Sequence, residues 1–166
     1  MKSTNFNEVK NFMSAFKQKI RENPQWPTDE EVDLRIDLIR EELDELEEAC
    51  ESGTLVDVAD ALTDILYVTY GAGHTFGLDL DKCFTEVQRS NMTKLGEDGQ
   101  PMYRKDGKVM KGPNYEEPNL EGVIYDEWFS KRYNENKNEP EFNRTKSYGG
   151  FFHMDYPGLK NRVVFG

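Results

Sequence analysis

The chain has 166 residues, a formal net charge of −11 at pH 7, 36% hydrophobic and 32% charged residues, and two cysteines. That length suits one domain with a core. The negative balance argues against a binder of nucleic-acid polymers, which needs a basic surface. Cys50 and Cys83 form no framework spacing, so each is expected to be a buried free thiol in a reducing cytoplasm. No signal or membrane-spanning run is visible, because Asp60 and Asp64 cut the apolar stretch from Val56 to Val68.

In chain order, residues 5 to 22 read as an amphipathic helix with Phe6, Val9, Phe12, Met13, Phe16 and Ile20 on one face. Asn23-Pro24-Gln25-Trp26-Pro27 breaks it. Trp26 either packs on the domain or offers a surface for stacking a base, with packing favoured. Thr28 and Glu31 have capping-box spacing, opening a second helix that runs to about Glu51. Its apolar stripe is Ile36, Ile39, Leu43 and Leu46, with Glu42 bordering the core and Glu41 and Glu45 close by. After Ser52-Gly53-Thr54 a third helix begins near Leu55 and ends at Gly71-Ala72-Gly73-His74. Those glycines either stop the helix or permit close approach of another chain. His74 is expected to be structural, lacking a partner at ligand spacing.

The third helix carries the strongest signal. Between Thr54 and Tyr70 its only charges are Asp57, Asp60 and Asp64. At about 100° per residue they fall within roughly a 60° arc of an otherwise apolar helix. Such a helix is normally buried, and buried carboxylates need cations. A short break lets the second and third helices pack antiparallel. Glu42 and Glu45 then face Asp60 and Asp64, a group of oxygens suited to Mg²⁺ or Mn²⁺. Glu47, Glu48 and Glu51 read as solvated surface.

Leu78 to Met92 reads as a fourth helix, giving a four-helix bundle or a dimer that shares one. Beyond it, Met102 to Lys111 reads as a small β-hairpin with Asp106-Gly107 at its tip. Lys94, Arg104, Lys105, Lys108 and Lys111 make the densest basic cluster in the chain, with charges that a polyphosphate requires. Residues 121 to 133 read as a short helix packed on the domain and 133 to 146 as a polar linker. The aromatic end with Phe151, Phe152, Tyr156 and Phe165 either reaches a neighbouring subunit or lies on its own domain.

Glu41-Glu42-x-x-Glu45, then Asp60-x-x-x-Asp64-Ile65-Leu66-Tyr67, resembles the all-α nucleoside triphosphate pyrophosphatase (MazG-like) superfamily. Arg89-Ser90-Asn91-Met92-Thr93-Lys94 and Asp106-Gly107-Lys108-Val109-Met110-Lys111-Gly112-Pro113 are similar to its phosphoribosyl-ATP-pyrophosphohydrolase-like branch, which includes phage enzymes. The resemblance covers about residues 5 to 120. It implies an all-α, four-helix bundle-like core over residues 1–120, with a β-hairpin and an irregular C-terminal extension over 121–166. The implied assembly is a homodimer or homotetramer in the cytoplasm, the host's if phage-encoded.

The implied reaction converts a (deoxy)nucleoside triphosphate to monophosphate and pyrophosphate. Glu42, Glu45 and Asp64 match metal ligands for about two or three Mg²⁺ or Mn²⁺ ions. The family pattern places Glu three residues before Asp64, where this chain has Ala61, so Asp60 is taken as the fourth ligand. Glu41 is the candidate general base. Lys94 and Lys111, with Arg89 alongside, are assigned to the triphosphate; Asn91 and Trp26 are assigned to base or sugar. Resemblance to phage enzymes of the MazZ type orders the substrates as dGTP or GTP first, then dUTP or dCTP. Phosphoribosyl-ATP hydrolysis and a non-catalytic nucleotide-binding helical module are the other readings.

Overall fold

The computed structural model describes residues 3–125. Four helices follow one another: α1 (Asn5–Ala15), α2 (Asp29–Ser52), α3 (Leu55–Phe76) and α4 (Leu80–Met92). Sheet structure among the described residues is one antiparallel bridge, Tyr103 to Val109. The protein is thus all-α, and the expected hairpin is reduced to a single bridged pair around Gly107, which takes φ 85°.

Helix α1 ends seven residues earlier than its periodicity predicts. Lys17 adopts φ 55°, and the Gln18 amide turns back to the Met13 carbonyl at 2.8 Å. Phe16 is left 66% exposed, whereas Phe6, Val9 and Met13 are buried. The following residues form a strap across the end of α3. The Arg21 amide donates to the His74 carbonyl (3.0 Å) and the Gln25 amide to the Phe76 carbonyl (3.1 Å). These carbonyls belong to the last helical turn, where the supply of amides from the helix itself runs out; the His74 carbonyl also accepts from the Gly77 amide at 3.3 Å.

Both long helices open on capping boxes. At α2 the Thr28 hydroxyl accepts from the Glu31 amide and the Glu31 carboxylate accepts from the Thr28 amide at 2.9 Å, as the spacing predicts. At α3 the pair is Thr54 and Asp57, with the Asp57 carboxylate 2.6 Å from the Thr54 amide. Asp57 therefore closes a helix end and leaves the stripe formed with Asp60 and Asp64.

Helix α3 does not stop at its two internal glycines. It continues to Phe76 and ends on Gly77 at φ 71°, with the Leu78 amide returning to the Gly73 carbonyl at 2.9 Å. The glycines instead permit close packing. A Cβ on Gly73 would lie 2.6 Å from Leu80 Cγ and 3.2 Å from the Phe6 ring. That ring is itself fixed, stacked on His74 at 3.7 Å, while His74 Nε2 bonds to the Phe6 carbonyl at 2.8 Å. His74 is buried and structural, as its isolation in the sequence suggests, and burial holds its pKa below the ordinary value. Gly73→Ala gains about 1 kcal/mol of helix propensity but overpacks this contact at a cost of about 1–3 kcal/mol. A net loss of up to about 2 kcal/mol is expected by urea denaturation, and a raised midpoint would show that Leu80 yields freely.

Among the described residues the buried hydrophobic core is small: Phe6, Val9, Met13, Val32 and Ala61. Leu34, Ile36 and Leu43 on α2, and Leu55, Val56, Leu62 and Leu66 on α3, remain exposed. Among the described residues α3 is therefore not buried nearly all round as expected, and Ile36 and Leu43 of the α2 stripe are open as well, with Ile39 and Leu46 half-buried. Of the two free thiols, Cys50 is exposed against expectation, and Cys83 is half-buried with its pKa raised by that burial. Residues 120–125 are helical. The rest of the helix expected over 121–133, the linker and the aromatic tail lie outside the described residues. No helix among the described residues is long and apolar enough to cross a membrane.

Candidate functional site

The two-residue connection Gly53-Thr54 makes α2 and α3 an antiparallel pair, and their packing is the most extensive between helices in the described chain. The Arg35 guanidinium lies 3.2 Å from where a Gly71 Cβ would stand. With the chain reversing at Gly53 and Arg35 opposite Gly71, the register brings Glu42 level with Asp64, and Glu45 level with Asp60 and Ala61.

The electrostatics of Glu42 agree. Its pKa is raised, first by burial, then by the negative charges of Asp64, Glu45, Glu41 and Asp60. All the charges acting this way are the carboxylates that the sequence brings forward. Glu42 and Asp64 are half-buried, while Glu41, Glu45 and Asp60 are exposed. The donors are all carboxylate oxygens, as hard divalent cations prefer. They share one face without closing into a shell: among the described residues no three His, Cys, Asp or Glu side chains are grouped tightly enough to hold an ion.

Two neighbours qualify the ligand pattern. Asp57 is held by Thr54, whose amide and hydroxyl keep its pKa low. Ala61 is only 3% exposed. The position where the resembled pattern has Glu is therefore a small, buried contact on α3, and Asp60 stands beside it at the rim.

Tyr67, one turn beyond Asp64, is a group the sequence reading missed. Burial and then the Asp64 charge raise its pKa. Phe12 meets its ring edge-on at 5.4 Å, and Phe16 packs on Phe12 at 4.3 Å. The spacing of Tyr67 from Asp64 was the available signal. Trp26, assigned to the base, sits on the strap, 60% exposed, with its ring edge-on to Phe76 at 5.7 Å.

The cationic residues fall into two groups. Lys94 donates to Asn91 Oδ1 at 2.7 Å, and Lys111 lies 4.2 Å from the centre of the Tyr115 ring. Three sequence-assigned residues, Asn91, Lys94 and Lys111, thus meet where α4 exits. Arg89 is engaged differently. Its guanidinium binds Glu86 at 2.9 Å and Glu116 at 2.6 Å, which raise its pKa further and fasten the 116–117 segment to α4. Ser90, almost fully buried, adds a bond to the Glu116 carbonyl at 2.7 Å.

A cavity of about 490 Å³ lies elsewhere, between α1, the strap, the end of α3 and the start of α4, and none of the clustered carboxylates lines it. Its charged walls include the pairs Lys10–Glu22 at 3.1 Å and Lys82–Asp79 at 3.7 Å. The clustered carboxylates of the α2–α3 face and the Lys94–Lys111 pair at the α4 exit thus lie outside this cavity.

Known proteins share this chain's features. The model of the family described as phosphoribosyl-ATP pyrophosphohydrolase matches residues 9–91, which contain all the clustered carboxylates. An uncharacterized protein of Acanthamoeba polyphaga mimivirus is 35% identical over 119 residues, covering 66% of this chain and 43% of that protein. The chain spans less than half the length of that relative. A crystal structure from Exiguobacterium sp. 255-15, of a protein named as a candidate NTP pyrophosphohydrolase, is 27% identical; the match covers 79% of this chain and 99% of that one, with a TM-score of 0.45. The family match extends over half of the 166 residues, and the chain belongs to the phosphoribosyl-ATP pyrophosphohydrolase family.

Proposed function

We propose that the protein hydrolyses a (deoxy)nucleoside triphosphate between the α and β phosphates, releasing the monophosphate and pyrophosphate. The observation that carries this reading is Glu42, half-buried with four other carboxylates acting on it. Together with membership of a pyrophosphohydrolase family, this favours cleavage of a phosphoanhydride. Glu42, Glu45, Asp60 and Asp64 would hold Mg²⁺ or Mn²⁺, which when bound neutralises phosphate charge and acidifies water. Glu41 is exposed beside them, and its carboxylate oxygen takes the proton from the attacking water. Lys94 and Lys111 donate to phosphate oxygens, and Asn91 steadies Lys94. The substrate order proposed is dGTP or GTP before dUTP or dCTP, resting on the resemblance to phage enzymes.

The assembly proposed is a homodimer or homotetramer. Exposed Leu62 and Leu66 on α3 and Leu43 on α2 form apolar surface that a second copy would cover. A second functional reading, nucleotide binding without hydrolysis, draws on Ala61, which removes one carboxylate from the resembled pattern.

Purified protein incubated with each common NTP and dNTP, and with phosphoribosyl-ATP, in Mn²⁺ or Mg²⁺ tests the reading. Ion-exchange chromatography of products should show monophosphate and pyrophosphate, with purines turned over fastest. Diphosphate and orthophosphate would place cleavage at the other anhydride and refute the proposal. Binding without any turnover would favour the second reading.

A further inference from the structure

We propose that Tyr115 is a positioning residue whose ring holds Lys94 and Lys111 as a two-cation clamp for a polyphosphate chain. The proposal deepens the nucleoside triphosphate reading and rests on it for the identity of the ligand. Lys94 leaves α4 and Lys111 follows the 102–110 turn, so they are distant in sequence. Gly112 brings them together: its amide donates to the Lys94 carbonyl at 3.1 Å. A Cβ there would lie 2.3 Å from the Leu95 carbonyl oxygen and 2.8 Å from that of Lys94, so any larger residue would force the segments apart. The Tyr115 amide then turns back to the Gly112 carbonyl at 3.2 Å. The Glu116 amide bonds to Thr93 Oγ1 at 2.9 Å.

Within this frame the half-buried Tyr115 ring meets the Lys111 ammonium at 4.2 Å, with the Lys94 ammonium at 6.0 Å. A ring face attracts a cation without neutralising it. Lys94 and Lys111 are therefore oriented while keeping their charge for an anion, in contrast to Arg89 between two carboxylates. Glu117 approaches Lys111 at 3.7 Å from a side chain that is 81% exposed, where screening makes the pair weak. Two ammoniums drawn to one neutral ring repel each other. An anion with oxygens on successive phosphorus atoms relieves that repulsion, and Asn91 keeps Lys94 aimed through its 2.7 Å bond.

Calorimetric titration with inorganic tripolyphosphate at low salt, without divalent ions, tests the clamp directly. Tyr115→Leu should bind about three- to tenfold more weakly, and Tyr115→Phe, which keeps the ring face, within about twofold of wild type. Removing both ammoniums, K94A with K111A, should abolish binding. In turnover, Tyr115→Leu should raise KM with kcat nearly unchanged, because the phosphates are held equally before and during reaction. Wild-type protein that ignores tripolyphosphate, or Tyr115→Leu that binds it as wild type does, would overturn the clamp even if nucleotides are hydrolysed. Equal losses in the Leu and Phe variants would also overturn it, by assigning the effect to the hydroxyl or the turn. Tripolyphosphate binding with the expected pattern, in a protein that turns over no nucleotide, would keep the clamp and retire the hydrolytic reading.

Discussion

Glu42→Gln is expected to lower turnover by about a thousandfold or more, which corresponds to about 4 kcal/mol of lost transition-state stabilisation. The amide keeps the volume and shape of the side chain, so any loss reports charge. Glu42 is the best placed of the candidate ligands to show this. It is half-buried, and Asp64, Glu45, Glu41 and Asp60 all act on it as negative charges. Without divalent ions those neighbours oppose its ionisation, so the neutral amide should leave the fold as stable as wild type or more so. Glu41→Gln is the informative comparison, since it should lower kcat while sparing Mn²⁺ binding. Steady-state kinetics with Mn²⁺, paired with thermal melts in chelator, measure both sides. A Glu42→Gln enzyme within about tenfold of wild type would show that this carboxylate is no ligand.

Much of this arrangement is legible in the sequence because it depends on local chemistry. The Thr28 and Glu31 capping box is set by a three-residue spacing and is found as expected. The short break at Gly53-Thr54 implies an antiparallel α2–α3 pair, and that pairing brings Glu42 and Asp64 together. Asp57 fits two local patterns at once. Its spacing fits the carboxylate stripe, but it also lies three residues after Thr54 and serves a second capping box. Both patterns were present, and the local hydrogen bonds decided between them.

What was not legible depends on contacts distant in sequence. Apolar periodicity carries α1 to Ile20, but the chain turns at Lys17 so that the strap can reach the end of α3. Gly71 and Gly73 resemble a helix stop, yet their surroundings are Arg35, Leu80 and Phe6, which no spacing reveals. The charge of Arg89 suggests phosphate binding, while Glu86 and Glu116 engage it. Tyr115 falls outside every periodic pattern and gains meaning only because Gly112 seats Lys111 beside Lys94.

The strap supplies the other large expected effect: Arg21→Ala should destabilise the protein by about 2–4 kcal/mol. Arg21 lies in what periodicity takes for the end of α1, yet its side chain is only 6% exposed. One guanidinium nitrogen donates to the Thr75 carbonyl at 2.7 Å and another to Glu31 at 2.5 Å. Its backbone amide holds the His74 carbonyl. One residue thereby ties the strap to the start of α2 and the end of α3. Alanine keeps the backbone bond but leaves the Thr75 carbonyl without its guanidinium and removes a buried apolar stem. The Thr28 amide first, and then Arg21, hold Glu31 down at about 2 from an ordinary 4.5. A lowered carboxylate pKa contributes stability that is present above the ordinary value and is lost as pH falls through the folded one. The gap between wild type and Arg21→Ala should therefore narrow as pH falls from about 4.5 toward 2, without vanishing, because the bond to Thr75 does not titrate. Denaturant midpoints at pH 7 and near pH 2 measure it. A gap unchanged across that range would assign the whole effect to Thr75 and packing; no gap at either pH would show that the strap is held by its backbone alone.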